Sequence, residues 1–253
     1  MHSTVVVSPD ATIGSNVRIG PYSVIEDDVV LGKGCQVGNH VSLLSGTRIG
    51  NECKILHGAI IGEIPQDLKF EGEDSTVEIG DGVTIREYVT VNRGTKALGT
   101  TRIGRDSLLM AYVHVPHDCQ IGENVIIANG VQMAGHVIID DWANISGLVP
   151  IHQFCRIGEH AFVAGGYRVV QDIPPYILAA GEPLEFSGIN LVGLRRRGFS
   201  AETRGIIKKA YQIIYRSSLN TSEALKKIKA DLPSTDEIEE IVTFVENSDR
   251  GIL

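Results

Sequence analysis

Aliphatic residues recur at every sixth position over most of the chain. From Val7 to Val169, 25 of the 28 positions in this series are Val, Ile, Leu or Met, whereas a hydrophobic fraction of 43% gives at most about 12 by chance. Neither the 3.6-residue period of an α-helix nor the alternation of a flat strand explains a strict period of six. The pattern predicts a mainly β protein, a triangular parallel β-helix in which three six-residue units close each coil. The exceptions are Asp67, Glu73 and Ala97.

Two blocks of the sequence interrupt the series, 67–78 and 97–102, and we expect loops inserted into the coil at both. The residue after the aliphatic one is glycine in ten units, for which we expect a tight turn with a left-handed backbone. Four residues after the aliphatic position the side chain is small in most units. Aliphatic and small side chains should therefore point inward and stack from coil to coil.

The four cysteines all occupy this small inward position. The spacing thus predicts four small hydrophobic core residues rather than a disulfide framework or a metal cluster. It also excludes Cys119 as a nucleophile, although Cys119 lies two residues from a histidine. The cysteines are Cys35, Cys53, Cys119 and Cys155.

The six-residue period ends after Val169 and a helical period follows further along. We expect a β-helix domain over 1–189, with an irregular connector from about 171, and a C-terminal α-helical domain over 190–253. Residues typical of helix N-caps predict three helices in the second domain. They are Ser200, Asn220 with Glu223, and Ser234 with Glu237.

Charge is unevenly distributed along the chain. The net charge is −8, but residues 190–229 contain ten Lys or Arg and two acids, so this segment carries +8 and the remainder −16. The overall charge argues against nucleic-acid binding, and no apolar run reaches the ~20 residues of a membrane span. We therefore expect a cytoplasmic protein. Some of the basic residues belong to solvated helix faces, but the cluster Arg195, Arg196 and Arg197 suits phosphate or an acidic protein.

Polar residues concentrate on one edge of the predicted coil. His117, Gly135 and Gln153 are spaced by 18 and 18 residues, which places them at one corner of three successive coils, about 5 Å apart. Asp118 follows His117 and is placed to orient its ring. Three further histidines lie within three residues of this column. They are His114, His136 and His152. The histidines outside this cluster, His40, His57 and His160, are expected at the surface or at an interface.

Three interpretations of this cluster remain open on the residues alone. A zinc site of the γ-carbonic-anhydrase type is one, although a His/Gly/Gln column does not supply three ligands. Structural histidines are the second. The third is a histidine general base for acyl transfer to a hydroxyl, with a backbone N–H for the thioester oxyanion. Because no serine or cysteine nucleophile stands nearby, the third interpretation favours direct attack, without metal or cofactor.

Seven ordered motifs resemble the UDP-N-acetylglucosamine O-acyltransferase family of hexapeptide-repeat enzymes. The resemblance implies a left-handed β-helix and a homotrimer with active sites between neighbouring subunits. It implies transfer of an (R)-3-hydroxyacyl chain from acyl carrier protein to the glucosamine 3-position of UDP-N-acetylglucosamine, the first step of lipid A biosynthesis. The motifs are IGEIPQDLKF (61–70), VTVNRGT (89–95), LLMAYVHVPHDC (108–119), MAGHV (133–137), IHQFC (151–155), QDIPPY (171–176) and GINLVGLRRRGFS (188–200).

The same resemblance implies roles for individual residues. His117 becomes the general base, Asp118 its partner, and Gly135 the donor to the oxyanion. The remaining implied positions contact substrate. They are His114, His136, His152 and Gln153 at the sugar and phosphate, Gln66, Asp67 and Lys69 from a neighbouring subunit's loop, Asn190, Arg196 and Arg197 at the nucleotide or acyl carrier, and Gly165 at the acyl tail.

The chain departs from the family pattern at two places. Val192 stands where many relatives have Glu, and the segment 181–188 lacks a histidine that some members have. Two alternatives therefore stay open: a non-catalytic β-helix that binds acyl carrier protein, and the related N-acyltransferase of the same pathway. The N-acyltransferase carries a sizeable domain before its repeats, whereas the repeat starts here by Val7.

Overall fold

The computed structural model describes residues 1–253 and is built from short strands followed by four helices. Most strands contain two residues, the first facing outward and the second buried. The strands are β1 (Val6–Val7), β2 (Thr12–Ile13), β3 (Arg18–Ile19), β4 (Val24–Ile25), β5 (Val30–Leu31), β6 (Gln36–Val37), β7 (Ser42–Leu43), β8 (Thr47–Ile49), β9 (Lys54–Ile55), β10 (Ile60–Glu63), β11 (Thr76–Ile79), β12 (Thr84–Ile85), β13 (Thr90–Asn92), β14 (Thr100–Ile103), β15 (Leu108–Leu109), β16 (His114–Val115), β17 (Gln120–Ile121), β18 (Ile126–Ile127), β19 (Gln132–Met133), β20 (Ile138–Ile139), β21 (Asn144–Ile145), β22 (Pro150–Ile151), β23 (Arg156–Ile157), β24 (Phe162–Val163), β25 (Ile177–Ala180) and β26 (Glu185–Ile189).

Every third strand of the coil pairs in parallel, which produces three sheets of eight, eight and ten strands as the sides of a prism. Regular coils pair residues 18 apart, as Val7 does with Ile25. The spacing rises to 30 where Ile60 pairs with Thr90, and to 24 where Thr90 pairs with His114. The insertions therefore add 12 and 6 residues to a coil. Because both are multiples of six, the aliphatic series resumes in the same phase after each. The insertions lie at 64–75 and 93–99 rather than at the expected 67–78 and 97–102, because Thr76 and Thr100 already begin β11 and β14.

The glycines that follow the aliphatic residues do not serve left-handed turns, so that expectation was wrong for all but one of them. A Cβ added to Gly14 or Gly20 would lie 2.6 or 2.7 Å from backbone atoms of the next coil. Close approach between coils is therefore the reason for these glycines. The left-handed residue stands two positions later, where Asn16 has φ 60° and Tyr22 has φ 60°. Gly62 is the exception, with φ 92°.

The predicted core is confirmed. Aliphatic and small side chains from successive coils form one continuous buried cluster. All four cysteines are buried within it and unpaired. Burial raises the pKa of the Cys119 thiol to about 12, which removes it as a nucleophile.

The C-terminal segment forms α1 (Leu191–Arg196), α2 (Ala201–Arg216), α3 (Thr221–Asp231) and α4 (Asp236–Glu246). Two predicted N-caps are confirmed: Ser200 accepts from Thr203 N–H, and Asn220 forms a complete capping box with Glu223. The third was wrong by one residue, because Thr235 caps α4 while the Ser234 hydroxyl donates to Glu239. None of the helices combines the length and apolarity needed to cross a bilayer.

His160 lies at the junction of the coil and the helices, where it is buried within the chain, whereas we expected it at the surface or at an interface. Its ring stacks between Trp142 and Tyr176, with centroid distances of 6.1 and 5.8 Å, and meets Phe199 edge-on at 5.0 Å. Its Nδ1 has no hydrogen-bond partner. Burial, assisted by the charge of Arg197, lowers the pKa of His160 to about 4.

Replacing His160 by phenylalanine should weaken the acid sensitivity of the fold. The neutral ring is favoured in the folded state, so its contribution is present above the unfolded pKa of about 6.5 and is lost as the pH falls towards 4. We expect about 3 kcal/mol of the free energy of unfolding to be lost from this group between pH 7 and pH 4. Urea unfolding at both pH values measures it. His40→Phe at an exposed corner is the control, and equal pH dependence of both variants contradicts the assignment.

Candidate active site

The imidazole of His117 and the carboxylate of Asp118 form a hydrogen-bonded pair at the corner that follows β16. Nδ1 of His117 lies 2.8 Å from Oδ2 of Asp118. Because an ionised carboxylate only accepts, Nδ1 must carry the proton, and Nε2 presents its lone pair. The Asp118 side chain is fully buried, whereas 13% of the His117 side chain reaches solvent. The pair thus has one protected member and one accessible base.

The Asp118 carboxylate is surrounded by donors. Oδ1 accepts from the N–H groups of Thr95 and Leu98 at 3.0 and 3.3 Å, and Oδ2 accepts from the Thr95 hydroxyl at 2.7 Å. Burial alone raises the pKa of Asp118, but the hydrogen bonds from His117 and Thr95 outweigh it and hold that pKa below its usual value. Asp118 therefore stays ionised and keeps His117 in one tautomer.

Gly135 lies one coil beyond His117, directly beneath its ring. A Cβ built on Gly135 would be 2.5 Å from Cε1 and 2.7 Å from Nε2 of His117. Only a residue without a side chain leaves the ring in its place. The predicted column of His117 over Gly135 is therefore present in the structure.

The N–H of Gly135 donates to no group in the chain. At four equivalent corners the corresponding N–H is capped by the side chain one coil further on. Those N–H groups belong to Lys33, Asn39, Asn51 and Glu123. One coil beyond Gly135 the equivalent residue is Gln153, whose side chain is exposed and does not accept from the Gly135 N–H. An open backbone donor thus lies beside the accessible imidazole nitrogen.

His136 forms the second wall of the site. Its ring meets His117 edge-on at 5.1 Å and stacks on Phe154 at 4.6 Å. Burial lowers the pKa of His136, and the carboxylates of Asp118 and Asp67 partly oppose this effect. Asp67, which the resemblance assigns to a neighbouring subunit's loop, also raises the pKa of His136 in its own chain.

The other predicted histidines differ in their surroundings. His114 is half-buried, with Nδ1 2.7 Å from the Thr90 hydroxyl, and burial together with His117 lowers its pKa. His152 is exposed, and its Nδ1 lies 3.2 Å from the carbonyl of Gln153. These residues place polar side chains around the base.

Several predicted site residues form no hydrogen bond or ion pair with His117 or Asp118 within the chain. Gln66 and Lys69 are exposed in the first insertion. Gly165 is exposed at another corner, where an added Cβ would meet the Gly147 carbonyl at 3.1 Å. One chain alone does not bring Gly165 to the histidines.

Asn190, Arg196 and Arg197 belong to the junction with the helices. Asn190 is buried as the N-cap of α1: its Oδ1 accepts from Gly193 N–H and its Nδ2 donates to the His160 carbonyl. Arg197 lies over the Trp142 ring at 5.0 Å, and Arg196 is exposed. The amide of Asn190 thus already has a structural use, while Arg196 is free to meet a ligand.

A groove of about 480 Å³ lies between β26 and α2. Its floor is apolar, with Phe186 and Leu191, and its rim carries Arg204, Lys208 and Arg216. None of these three cations forms a salt bridge. The groove therefore offers unpaired positive charge beside apolar surface.

His117, Asp118 and His136 each offer one metal-ligand atom, all within 4.8 Å of one another. The donor set argues against zinc at this place. Both Asp118 oxygens already accept hydrogen bonds, and Nδ1 of His117 carries a proton on the Asp118 side. A metal there would have to displace those bonds, so the arrangement favours a base over a metal centre.

The sequence reasoning missed Thr95, Thr101 and Phe154. Thr101 Oγ1 accepts from the Asp118 N–H at 2.9 Å, and Thr95 supplies two donors to the carboxylate. The motif VTVNRGT ends at Thr95, but a break in periodicity carries no information on what the inserted segment contacts. Phe154 is detectable from spacing, since it lies 18 residues after His136.

The chain is similar to proteins of one family along its whole length. Residues 172–253 match the model for domain 2 of UDP N-acetylglucosamine O-acyltransferase, and 10–45 and 100–135 match bacterial transferase hexapeptide repeats. An acyl-[acyl-carrier-protein]–UDP-N-acetylglucosamine O-acyltransferase of Herminiimonas arsenicoxydans is 45% identical over 258 residues, which cover 100% of this chain and 98% of the relative.

Solved structures agree. LpxA from Bacteroides fragilis, a UDP-N-acetylglucosamine acyltransferase, superposes with a TM-score of 0.99 at 52% identity and covers 100% of this chain and 99% of that one. LpxA from Acinetobacter baumannii superposes with a TM-score of 0.96 at 40% identity, covering 100% and 98%. The predicted fold class, a left-handed parallel β-helix with a C-terminal α-helical domain, is confirmed.

Proposed function

Because this chain belongs to the UDP-N-acetylglucosamine O-acyltransferase family, we propose that it moves an (R)-3-hydroxyacyl chain from acyl carrier protein to the 3-hydroxyl of UDP-N-acetylglucosamine, the first step of lipid A biosynthesis. One observation carries the proposal: the accessible nitrogen of His117 and the unbonded N–H of Gly135 lie side by side at one corner. A base and an oxyanion donor are the two groups that thioester acyl transfer needs.

The reaction follows from the roles of these two groups. Nε2 of His117 takes the proton of the sugar hydroxyl as its oxygen attacks the thioester carbonyl. The oxygen of the tetrahedral intermediate accepts the Gly135 N–H, and Asp118 stabilises the imidazolium. The carbon–sulfur bond then breaks, and the leaving thiolate receives the proton from His117. No acyl-enzyme forms, since Cys119 is buried with a raised thiol pKa.

A homotrimer is part of the proposal. Aromatic and aliphatic side chains are exposed on the coil corners, and they would be covered by a neighbouring subunit. Leu68, fully exposed in the first insertion, would be covered in the same way. A neighbour would also bring Gly165 near the acyl tail, where the missing side chain leaves room for a long chain, about fourteen carbons or more. The exposed corner residues are Tyr22, Tyr88, Tyr112, Leu148 and Phe154.

Acyl carrier protein is the acidic partner that suits the groove on α2, because three unpaired cations surround an apolar floor there. Arg196 adds an exposed charge nearby on α1. Four unpaired cysteines agree with a reducing compartment, and we place the reaction in the cytoplasm.

Reversing charge in this groove should weaken the carrier protein and spare the sugar nucleotide. The double variant Lys208→Glu/Arg216→Glu should raise the KM for hydroxyacyl carrier protein about tenfold or more, because two attractions become repulsions. The effect should shrink as salt is raised. The double variant Lys33→Glu/Lys54→Glu, at two exposed positions on the N-terminal coils, is the charge-matched control. An unchanged KM for the carrier, or an equal rise in the KM for UDP-N-acetylglucosamine, would remove the groove from this role.

Mass spectrometry of the product tests the function itself. The protein is given UDP-N-acetylglucosamine and a mixture of hydroxyacyl carrier proteins of different lengths, and we expect a mono-acylated ester of one preferred length. The same mixture with a 3-amino sugar nucleotide tests the related N-acyltransferase activity. Product from the amine alone, or binding of the carrier without any product, contradicts the proposal.

A further inference from the structure

The segment 93–99, inserted between β13 and β14, folds around the carboxylate of Asp118. Of the four hydrogen bonds on that carboxylate, three come from this segment and one from His117. The coil does not need this insertion in order to close, because most coils form the same corner without one. The insertion therefore bears on Asp118 rather than on the fold.

Thr95 contributes more than any other residue of the segment. Its hydroxyl oxygen accepts from Ala97 N–H at 3.2 Å, which leaves the hydroxyl hydrogen for Oδ2 of Asp118 at 2.7 Å. The same Oδ2 accepts from Nδ1 of His117 at 2.8 Å. One carboxylate oxygen is thus shared between the Thr95 hydroxyl and the imidazole.

Backbone donors hold the segment at its N-terminal end and in its middle. Arg93 N–H donates to the Glu63 carbonyl at 2.9 Å, and Gly94 N–H donates to the Thr76 carbonyl at 3.2 Å. Lys96 N–H donates to the Glu73 carboxylate at 3.0 Å, which links the segment to the first insertion. Thr95 therefore has little freedom to leave the carboxylate.

We infer that Thr95 is a positioning residue for the general base, because its hydroxyl occupies Oδ2 of Asp118 and so sets how firmly that oxygen holds the His117 imidazole. The inference rests on the proposed function, in which His117 is the base. It extends to a buried residue that acts through Asp118.

The consequence for pH follows from the charges that face the pair. His117 and His136 lie against Asp118, with Nε2 of His136 at 3.7 Å, while His114 lies beside His117 and Asp67 acts on His136. Removing the Thr95 hydroxyl leaves the negative charge on Oδ2 less dispersed. The carboxylate then holds protonated His117 more strongly, and the base loses its proton only at higher pH.

Three variants of the full-length protein test this inference. Thr95→Val removes the hydroxyl at nearly constant volume, and Thr95→Ser keeps it. Thr100→Val is the control, because Thr100 begins β14 directly after the segment and its hydroxyl donates to the Thr101 carbonyl instead. Two readouts are taken: the pH profile of acyl transfer, and the titration of His117 by NMR with ¹³C-labelled histidine, assigned through His117→Gln.

We expect Thr95→Val to lower kcat about three- to tenfold on the acidic limb of the pH profile and less at higher pH, with the KM for UDP-N-acetylglucosamine within about twofold of wild type. The midpoint of His117 titration, and the acidic limb of the profile, should move up by about 0.5–1 pH unit. Thr95→Ser and Thr100→Val should match wild type in both. Should Thr95→Val fail to fold, Thr95→Ala removes the same hydroxyl and carries the same expectations.

The two readouts separate this inference from the proposed function. Absence of transfer by the wild-type protein would overturn the function, while the NMR titration would still show whether Thr95 governs His117. An unchanged titration in Thr95→Val overturns the inference. So does a Thr95→Ser variant that behaves like Thr95→Val, since packing rather than the hydroxyl would then be responsible.

Discussion

His117→Ala should lower the rate of acyl transfer by about 10²–10⁴-fold or more, the largest effect expected of any side-chain replacement in the protein. The replacement removes the nitrogen that accepts the sugar proton and later returns it to the thiolate. It leaves the coil intact, because the ring lies at a corner and Asp118 keeps three other donors. Binding of UDP-N-acetylglucosamine should change much less than kcat.

Single-turnover assays and sedimentation measure the two parts of this expectation. His40→Ala is the matched control, since His40 also stands at a coil corner but at a distance from the pair, stacked on Tyr22. Turnover of His117→Ala within a few-fold of wild type would remove the histidine base from the mechanism. Loss of assembly in the same variant would mean that the effect on rate has a structural origin.

The β-helix is predictable from the sequence because almost every coil has aliphatic residues at the same six-residue spacing. The aliphatic series crosses both insertions without changing phase, since the structure adds 12 and 6 residues there. The same periodicity aligns His117 with Gly135, so the central part of the candidate site follows from counting residues. In contrast, an interruption such as 93–99 has no period, and its hydrogen bonds to Asp118 cannot be read from spacing.

Two errors show where residue patterns mislead. Glycine at the position after the aliphatic residue was expected to supply a left-handed backbone, but at Gly14 it only keeps Cβ out of the next coil. Non-glycine residues, Asp118 among them at φ 59°, occupy the left-handed position. The repeat shows that glycine is required at this position, but it does not show why. A glycine needed to avoid a clash and a glycine needed for a left-handed backbone give the same sequence pattern, and only the position of the neighbouring coil distinguishes them.

His160 is the second kind of error. Its distance from the histidine cluster suggested a surface or interface residue, yet the helical domain folds back over this corner and buries the ring. The contact with Phe199 joins residues 39 positions apart across the irregular connector. The repeat cannot predict a contact between the helical domain and the coil, because it describes only residues that are neighbours in successive coils.

The site depends on two independent features of the fold that meet at one corner. Stacking of coils brings the bare amide of Gly135 beneath the ring of His117, and the second insertion brings donors to Asp118 behind it. The first feature is tested most directly at Gly135, because a single methyl group is enough to disturb it.

Gly135→Ala should reduce acyl transfer by about 10²–10³-fold while the protein stays folded. The backbone of Gly135 lies outside the left-handed region, so alanine is compatible with it, but the new Cβ would lie 2.5 Å from Cε1 of His117. The ring must then turn away from Asp118 or away from the substrate, and the methyl group also crowds the N–H that faces the oxyanion. The pH-rate profile and single-turnover rates measure this loss.

The double variant His117→Ala/Gly135→Ala separates the two causes. If the methyl group acts mainly by displacing the imidazole, it has nothing left to displace once His117 is alanine, and the double variant should be about as active as His117→Ala alone. A further loss of tenfold or more in the double variant would assign a separate share to the Gly135 N–H. Wild-type activity in Gly135→Ala would contradict both proposed causes, the displaced imidazole and the crowded N–H. It would mean that the thioester does not react between this amide and His117.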